Sequence, residues 1–266
     1  MRVGAFLVPA LLAGCLAASG QELSVALEGP PPPVAPEVVS RDAEGRATIR
    51  AVRVTSPMRI DGTLDEAIYA GPSIGGWSQL EPVIGATPSE NTEAWIAFDD
   101  RNFYLSFRVW DSHPERRVAT EMRRDVNNYI NGNDMVQVFI DTFYDRRNGI
   151  SLTINSIGAR NDGQVLNGLG YNGDWNPIWD LATGKFDGGW TIEFRIPLRS
   201  IRFKEGAGMM GINFRRNVRW KTEMSYLVPV PASYGQSGLY KTSGAATLVG
   251  VELPTHLRDK IGRAHV

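Results

Sequence analysis

The stretch from Asn131 to Gly163 constrains the fold most, because its residues alternate in the way that paired β-strands require. From Met135 to Ile140, β-branched residues would lie on one face and the other side chains on the opposite face. The first face would carry Val136, Val138 and Ile140, and the second Met135, Gln137 and Phe139. Asn148-Gly149 then supplies a turn, and Ser151 to Ile157 alternates again. The sequence therefore predicts a long antiparallel hairpin with carboxylates and amides at its ends.

Further alternating segments flank this hairpin. They lie at 92–98, 103–110, 188–197, 211–220 and 226–230. About nine strands, few helical periods and no repeat predict an all-β fold, a two-sheet antiparallel β-sandwich of the jelly-roll or immunoglobulin-like type. We expect the residues with the strongest strand patterns to be buried between the two sheets: Val136, Val138, Ile140, Trp95 and Trp190. The same pattern predicts a core position for Trp110.

The overall composition is that of an ordinary globular domain. The chain has 266 residues, 42% of them hydrophobic, and a formal net charge of -1. This length is sufficient for one large core. The near-neutral charge gives no reason to expect a nucleic-acid partner.

The N-terminus has the layout of a secretory signal peptide over residues 1–20, with one basic residue, a short apolar run and then small residues. Two processing routes stay open: cleavage just before Gln21, or a lipobox ending in a lipidated Cys15. Cys15 is the only cysteine, so a mature domain would have neither a disulfide nor a thiolate zinc site. These features predict export to the periplasm or outer membrane of a Gram-negative-type bacterium. Residues 21–48 are rich in proline and predict an extended linker.

The C-terminus predicts that the chain continues. Residues 251–266 would be the start of a further domain, and Lys260 to Val266, KIGRAHV, corresponds to the translation of a common sequencing adapter. A genuine polar tail is the alternative. We expect residues 1–50 and 254–266 to be poorly packed.

Several segments together resemble the carbohydrate-binding module family 9-like domain, as found at the N-terminus of bacterial outer-membrane proteins with a C-terminal β-barrel domain. The segments are IDGTLDEAIY (60–69), TEAWIAFDDRNFYLSFRVWDSHP (92–114), NGNDMVQVFIDTFYDRRNG (131–149), WNPIWD (175–180), GGWTIEFRIPLRSIRF (188–203) and INFRRNVRWKTEMSYLVPVP (212–231). The resemblance implies a sandwich over residues 49–250, sugar binding by aromatic stacking, and structural calcium. It also implies a β-barrel partner domain and a link to carbohydrate-catabolic, glycosidase-associated systems.

The chain departs from the sugar-binding members at their aromatic positions. Their tryptophan before the acidic-aliphatic strand falls near Asn131, and their late-loop tryptophan falls near Tyr234 or Tyr240. Tyr69 stands where tryptophan is usual. Sugar rings stack on flat aromatic faces, so the loss of a stacking tryptophan weakens the inference from the resemblance to a carbohydrate ligand, whereas the inference to the fold stands.

A loop rich in glycine and asparagine indicates where a ligand could bind. Trp175 and Tyr171 are the predicted stacking pair, because Trp175 follows the polar run Gly170 to Asp174 and Tyr171 lies within it. The predicted ligand-binding set is Trp175, Tyr171, Asn172, Asp174, Asn131 and Tyr129. A plug over the sandwich end is the alternative role for Trp175.

Carboxylates near strand ends predict a calcium site formed by Asp134, Asp141 and Asp145, with turn capping as the alternative. No catalytic motif is present, and the spacing of acids such as Glu121 and Asp125 is common in solvated faces. The predicted function is a non-catalytic module that binds a glycan or oligosaccharide. A structural periplasmic domain that plugs or gates its own barrel is the alternative.

Overall fold

The computed structural model describes residues 26–126, 129–168, 170–204, 206 and 208–253. Its strands are β1 (Val39–Arg41), β2 (Ala47–Arg50), β3 (Val52–Arg53), β4 (Ser78–Glu81), β5 (Thr92–Phe98), β6 (Asn102–Trp110), β7 (Met135–Asp141), β8 (Gly149–Asn155), β9 (Arg160–Leu166), β10 (Gly170–Asn172), β11 (Asp180–Phe186), β12 (Gly189–Pro197), β13 (Met209–Val218), β14 (Glu223–Tyr226) and β15 (Ala246–Val249). Its 3-10 helices are Ala67–Ala70, Pro114–Arg116, Ile130–Gly132, Leu198–Ser200, Arg219–Lys221, Ala232–Tyr240 and Thr242–Gly244. Within these described ranges, no helix has the length and apolar character needed to cross a bilayer.

The strands form two sheets, as predicted. The larger sheet has ten strands in the order β1-β2-β15-β13-β7-β8-β9-β10, with β14 joining β13 to β4. The smaller sheet has five strands in the order β11-β12-β6-β5-β3. Two pairs, β2 with β15 and β3 with β5, are parallel, and the other strand pairs are antiparallel. The all-β sandwich is therefore confirmed, with a parallel pairing in each sheet that the sequence did not predict.

The main hydrophobic core contains residues of both sheets and follows the alternation in the strands. Val136, Val138 and Ile140 are fully buried in it, and so is Trp190. Trp95 is also buried, but it packs with Tyr69 in a separate hydrophobic cluster that shares no residue with the main core. Its neighbours in the strand face the main core, so Trp95 occupies the opposite face of the smaller sheet. The expectation that Trp95 lies between the sheets is wrong, because alternation shows that two faces differ but not which one is inside.

Trp110 also departs from the prediction. It ends β6 and is 37% exposed, with its ring edge-to-face against Phe186 at a centroid distance of 4.9 Å. In β6 the alternate residues Phe107 and Val109 face the main core, and Trp110 has the opposite parity, the same as Tyr104 in the separate outer cluster.

The predicted linker over residues 21–48 is wrong for its described part. Strands β1 and β2 extend the larger sheet, and Val38 and Ala47 are buried in the main core. Carbonyl groups of the proline-rich run accept hydrogen bonds, since Thr48 Oγ1 donates to Pro30 O at 2.6 Å. Proline residues lack an N–H but keep a C=O, so such a run can still attach to a folded domain as an acceptor. Residues 1–25, with Cys15 and the predicted signal peptide, lie outside the described residues.

The predicted boundary at residue 250 also shifts. Val251 and Leu253 are buried in the main core, so they complete the sandwich. Residues 254–266, with the adapter-like tail, lie outside the described part of the chain.

The Asp61-Gly62 turn is held against the smaller sheet by a buried carboxylate. Glu193 Oε2 accepts hydrogen bonds from the backbone N–H groups of Asp61 at 3.1 Å and Gly62 at 2.8 Å. Its other oxygen accepts from the Tyr69 hydroxyl at 2.6 Å. Burial raises the pKa of Glu193, although these hydrogen bonds oppose the rise. The Asp61-Gly62 turn is therefore a structural feature of the outer face of the smaller sheet.

This buried carboxyl predicts a specific dependence of stability on pH. Between the pKa of an unfolded glutamate, about 4.3, and the higher pKa of folded Glu193, the native state binds more protons than the unfolded state. The contribution of Glu193 to the free energy of unfolding is therefore full below that window and falls as pH rises through it. Glu193→Gln keeps the side-chain size but does not titrate. We expect the stability difference, wild type minus Glu193→Gln, to decrease in urea unfolding as pH rises above the pKa of an unfolded glutamate, about 4.3. A difference that is constant or increases with pH would contradict this account.

Candidate functional site

A row of polar side chains crosses the outer face of the larger sheet. Gln137 in β7 faces Thr153 in β8, which in turn faces Asn161 in β9. On the other side, Gln137 faces Arg215 in β13, which pairs with Tyr226 in β14. Directly paired residues lie one strand spacing apart, so the row from Asn161 to Arg215 is about 14 Å long. The strand register thus brings four polar side chains from four strands into one line.

This row forms the floor of a pocket of about 380 Å³. The walls are Ile130, Asn131, Tyr171, Gln236, Ser237 and Tyr240. The floor holds the walls in place, since the Arg215 guanidinium donates to Asn131 Oδ1 at 2.8 Å and to the Gln236 carbonyl at 3.0 Å. The Gln137 amide donates to the Tyr240 hydroxyl at 3.0 Å. The volume lies in the range of small-molecule sites.

Three floor residues have polar atoms that the described part of the chain leaves without a partner. These atoms are Gln137 Oε1, Asn161 Oδ1 and Arg215 Nε. Their residues are only 4%, 8% and 2% exposed, respectively. Whichever way each amide is turned, one of its polar ends remains free. Leaving such groups unpaired destabilises a protein, so their concentration in one pocket indicates a ligand or ordered water.

Two tyrosines form the aromatic part of the wall. The rings of Tyr171 and Tyr240 stack at a centroid distance of 5.9 Å. Tyr171 lies over Gly163, where an added Cβ would come within 2.3 Å of its ring. Its hydroxyl accepts a hydrogen bond from Asn161 at 2.8 Å, and burial raises its pKa. Gly163 therefore provides the space in which this ring lies against the sheet.

Comparison with protein families matches residues 60–225 to the model described as carbohydrate family 9 binding domain-like. The match covers more than half of the chain. The chain belongs to this family. The resemblance read from the sequence segments is confirmed at this level, and a comparison with curated proteins gives no match.

Solved structures similar to this family 9-like domain share its fold at low sequence identity. A family 9 carbohydrate-binding module from Caldicellulosiruptor kristjanssonii in complex with glucose is 18% identical, with a TM-score of 0.51 over 81% of this chain and 100% of that chain. A family 9 module from the same organism in complex with cellotriose is 19% identical. Its TM-score is 0.52, over 76% of this chain and 92% of that chain. A candidate carbohydrate-binding protein from Bacteroides uniformis is 13% identical. Its TM-score is 0.54, over 76% of this chain and 98% of that chain.

The structure brings only part of the predicted binding set into the pocket of this family 9-like domain. Tyr171 and Asn131 line it. Trp175 does not, and it is half-buried against the main core. Asn172 accepts from the Asp174 N–H at 3.1 Å within the turn after β10, so these two residues form local turn structure. This placement supports the plug as the role of Trp175.

Tyr129 has a peripheral position. Its side chain is 70% exposed, and it precedes the short helix Ile130–Gly132 without lining the pocket. Of the two tyrosines near the late-loop tryptophan of the sugar-binding members, Tyr240 lines the pocket, whereas Tyr234 does not. Asn131 presents an amide to Arg215 where the resemblance predicted a tryptophan in sugar-binding members.

The three predicted calcium ligands are not brought together. Asp134 precedes β7 and Asp141 ends it, so their backbones are about 23 Å apart in an extended strand. Asp134 Oδ2 accepts from the Val118 N–H at 2.7 Å, and Asp141 Oδ2 accepts from the Arg146 N–H at 2.8 Å. Asp145 Oδ1 caps its own turn through the Asn148 N–H at 2.8 Å. Within the described ranges, no group of three or more His, Cys, Asp or Glu side chains is placed to hold a metal ion.

Sequence analysis missed Gln137, Thr153, Asn161 and Arg215 as members of one site. The signal was present, since each is polar at an outward position of an alternating strand. The composition of residues 161–173, rich in glycine and asparagine, predicts a loop there, whereas β9 and β10 occupy much of that stretch. Their register across four strands is not visible in local pattern.

Proposed function

We propose that this family 9-like domain is a non-catalytic carbohydrate-binding module and that its ligand binds in the pocket above the polar row. The observation that carries the proposal is the set of unpartnered polar atoms of Gln137, Asn161 and Arg215, beside the stacked pair Tyr171 and Tyr240. Family membership supports the same function.

The chemistry of the lining matches that of a sugar. Each sugar hydroxyl both donates and accepts a hydrogen bond, so it can pair with either end of an amide and with a guanidinium N–H. The C–H faces of a sugar ring pack on aromatic rings, and Tyr171 is 37% exposed at the wall. A pocket with a few convergent polar groups and aromatic walls can therefore hold and orient one or two sugar units.

Removing the exposed aromatic ring tests the proposal. We expect Tyr171→Ala to weaken sugar binding roughly 10-fold, because an aromatic contact contributes about 0.5–1.5 kcal/mol beyond its buried area. Binding partners would first be found on a glycan array that includes cellotriose, which a structural relative binds. Titration calorimetry would then measure affinity for the best compound.

Tyr234→Ala is the matched control. Tyr234 is 43% exposed and lies in the same segment as Tyr240, but it does not line the pocket. Its replacement should leave affinity unchanged. Equal weakening by both substitutions, or no effect of Tyr171→Ala on an established ligand, would place the site elsewhere. Failure to detect any carbohydrate ligand would favour the alternative of a structural domain attached to a barrel.

The setting of the module is part of the proposal. Export, periplasmic or outer-membrane location, a lipidated Cys15 and a C-terminal β-barrel partner rest on the terminal sequences and the resemblance. Participation in carbohydrate catabolism rests on the same resemblance. Calcium binding stays a prediction.

A further inference from the structure

Arg215 is a buried cation with no carboxylate partner in the described part of the chain. Its residue is 2% exposed, and its guanidinium donates to neutral oxygens, the side-chain oxygen of Asn131 and the carbonyl of Gln236. Among the described residues no carboxylate lies within 4.0 Å of its guanidinium, whereas Arg117 pairs with Asp111 at 2.9 Å. Arg215 Nε has no hydrogen-bond partner among the residues that the structure describes. A buried charge without a counter-ion is unfavourable unless something else neutralises it.

The pocket itself supplies no negative charge. Its lining consists of amides, hydroxyls, one isoleucine and the Arg215 guanidinium, with no aspartate or glutamate among the described residues that form it. A ligand that fills the pocket therefore meets one positive charge in a partly desolvated site. In such a site, a charge-assisted hydrogen bond is about twice as strong as a neutral one.

The neighbouring amides restrict the ligand further. The free ends of Gln137 and Asn161 need hydroxyl or similar groups, and they lie in the same row as Arg215. A simple anion such as phosphate could satisfy Arg215 but would not supply hydroxyl groups along the row. A molecule with both a carboxylate and several hydroxyls satisfies all three residues.

We propose, resting on the function proposed above, that the pocket is specific for an acidic sugar, a uronic-acid unit of a glycan whose carboxylate pairs with Arg215. Asn131 contributes to this specificity. Its side-chain oxygen accepts from Arg215 at 2.8 Å, so this contact orients the guanidinium beside the pocket that both residues line. The aromatic pair Tyr171 and Tyr240 then contacts the ring of the same sugar.

Matched pairs of compounds test this specificity. Oligogalacturonates, oligomannuronates and glucuronoxylan oligosaccharides would each be titrated beside the same oligosaccharide after reduction of its carboxylates to primary alcohols. We expect at least one acidic compound to bind roughly 10- to 100-fold tighter than its reduced partner, because hydrogen bonds to charged groups contribute more than neutral ones. The preference should shrink as salt concentration rises.

Variants at the cation complete the test. Arg215→Gln should remove most of the preference for the acidic compound, and Arg215→Lys should retain part of it because the charge remains. Arg199→Gln, at an exposed arginine outside the pocket, is the control and should behave as wild type. Thermal unfolding would verify that each variant is folded, and the salt dependence of the wild type needs no variant.

The outcomes separate the two proposals. If the reduced compounds bind as tightly as the acidic ones, the acidic-sugar inference is overturned while the carbohydrate-binding function stands. If no compound of either class binds, and the glycan array is also blank, the proposed function itself fails. A preference for acids that survives Arg215→Gln would also overturn the role given to this residue.

Discussion

Replacing Arg216 with methionine should destabilise the domain by about 3–5 kcal/mol, the loss expected when a buried charged hydrogen-bonding group is removed and its partners stay buried. Arg216 faces the interior, opposite to Arg215, and is 3% exposed. Its guanidinium donates to the carbonyls of Asn91 at 2.7 Å and Glu90 at 3.1 Å, to the hydroxyl of Thr92 at 2.8 Å and to the carbonyl of Trp110. One side chain thus ties β13 of the larger sheet to β5 and β6 of the smaller one.

The expected loss arises from the buried oxygen atoms that the substitution would leave without a hydrogen-bond donor. Methionine has a similar length but no donors, so several carbonyl and hydroxyl oxygens would lose their partner, each at about 1–3 kcal/mol before relaxation and water entry. Burial lowers the pKa of Arg216 to about 10, so it is still protonated at neutral pH. Urea unfolding of wild type, Arg216→Met, Arg216→Lys and the exposed control Arg199→Met would measure the effect.

The lysine variant distinguishes charge from geometry. Lys has three donors on one nitrogen and cannot match the planar geometry of the Arg guanidinium. We therefore expect the free energy of unfolding of Arg216→Lys to lie between those of Arg216→Met and wild type. Arg199→Met should change stability by less than about 0.5 kcal/mol. A loss below about 1 kcal/mol for Arg216→Met would show that the two sheets do not depend on this connection.

Gly62→Ala should have the second large effect, a decrease of about 3 kcal/mol in the free energy of unfolding. Gly62 has a φ of 86°, and a Cβ there would lie 2.7 Å from the Thr183 carbonyl carbon in β11. The left-handed conformation contributes about 1–2 kcal/mol, and the overlap with backbone adds about 1–3 kcal/mol. The neighbouring backbone cannot move away freely, since Glu193 and Thr191 both hydrogen-bond this turn.

Gly85→Ala separates these two contributions. Gly85 has a similar φ of 79°, but a Cβ there would meet no atom within 4 Å. We therefore expect Gly85→Ala to lower the free energy of unfolding only by the cost of the left-handed conformation, about 1–2 kcal/mol. Equal losses in thermal or urea unfolding for Gly62→Ala and Gly85→Ala would contradict the close packing of the turn on β11.

The position of the pocket has a consequence for both proposals. Arg215 and Arg216 are adjacent in β13, yet alternation sends one to the pocket and the other to the interior. Substitutions at Arg215 should therefore change binding, both directly and through the pocket walls that Arg215 holds, and substitutions at Arg216 should change mainly stability. Measuring both properties for both residues would reveal whether the two faces of the strand are independent.

The sequence by itself determined the fold class and the main core. Alternation in the segments around Val138 and Trp190 reflects the two faces of a strand, a local property that side-chain chemistry records directly. The aromatic and glycine-rich stretch likewise indicated Tyr171 as a wall residue. Local pattern did not show which face of β5 points inward, so Trp95 was placed on the wrong side.

Only the tertiary structure decided the site. The floor depends on the pairing of Gln137 with Arg215, 78 positions apart, and with Thr153 and Asn161 in the adjoining strands. Tyr240 reaches this floor from a segment 103 residues away from Gln137. Strand order and register arise from packing of the whole chain, because every strand offers the same backbone groups to any neighbour. For that reason the residues that would recognise a ligand became a site only when the sheet was assembled.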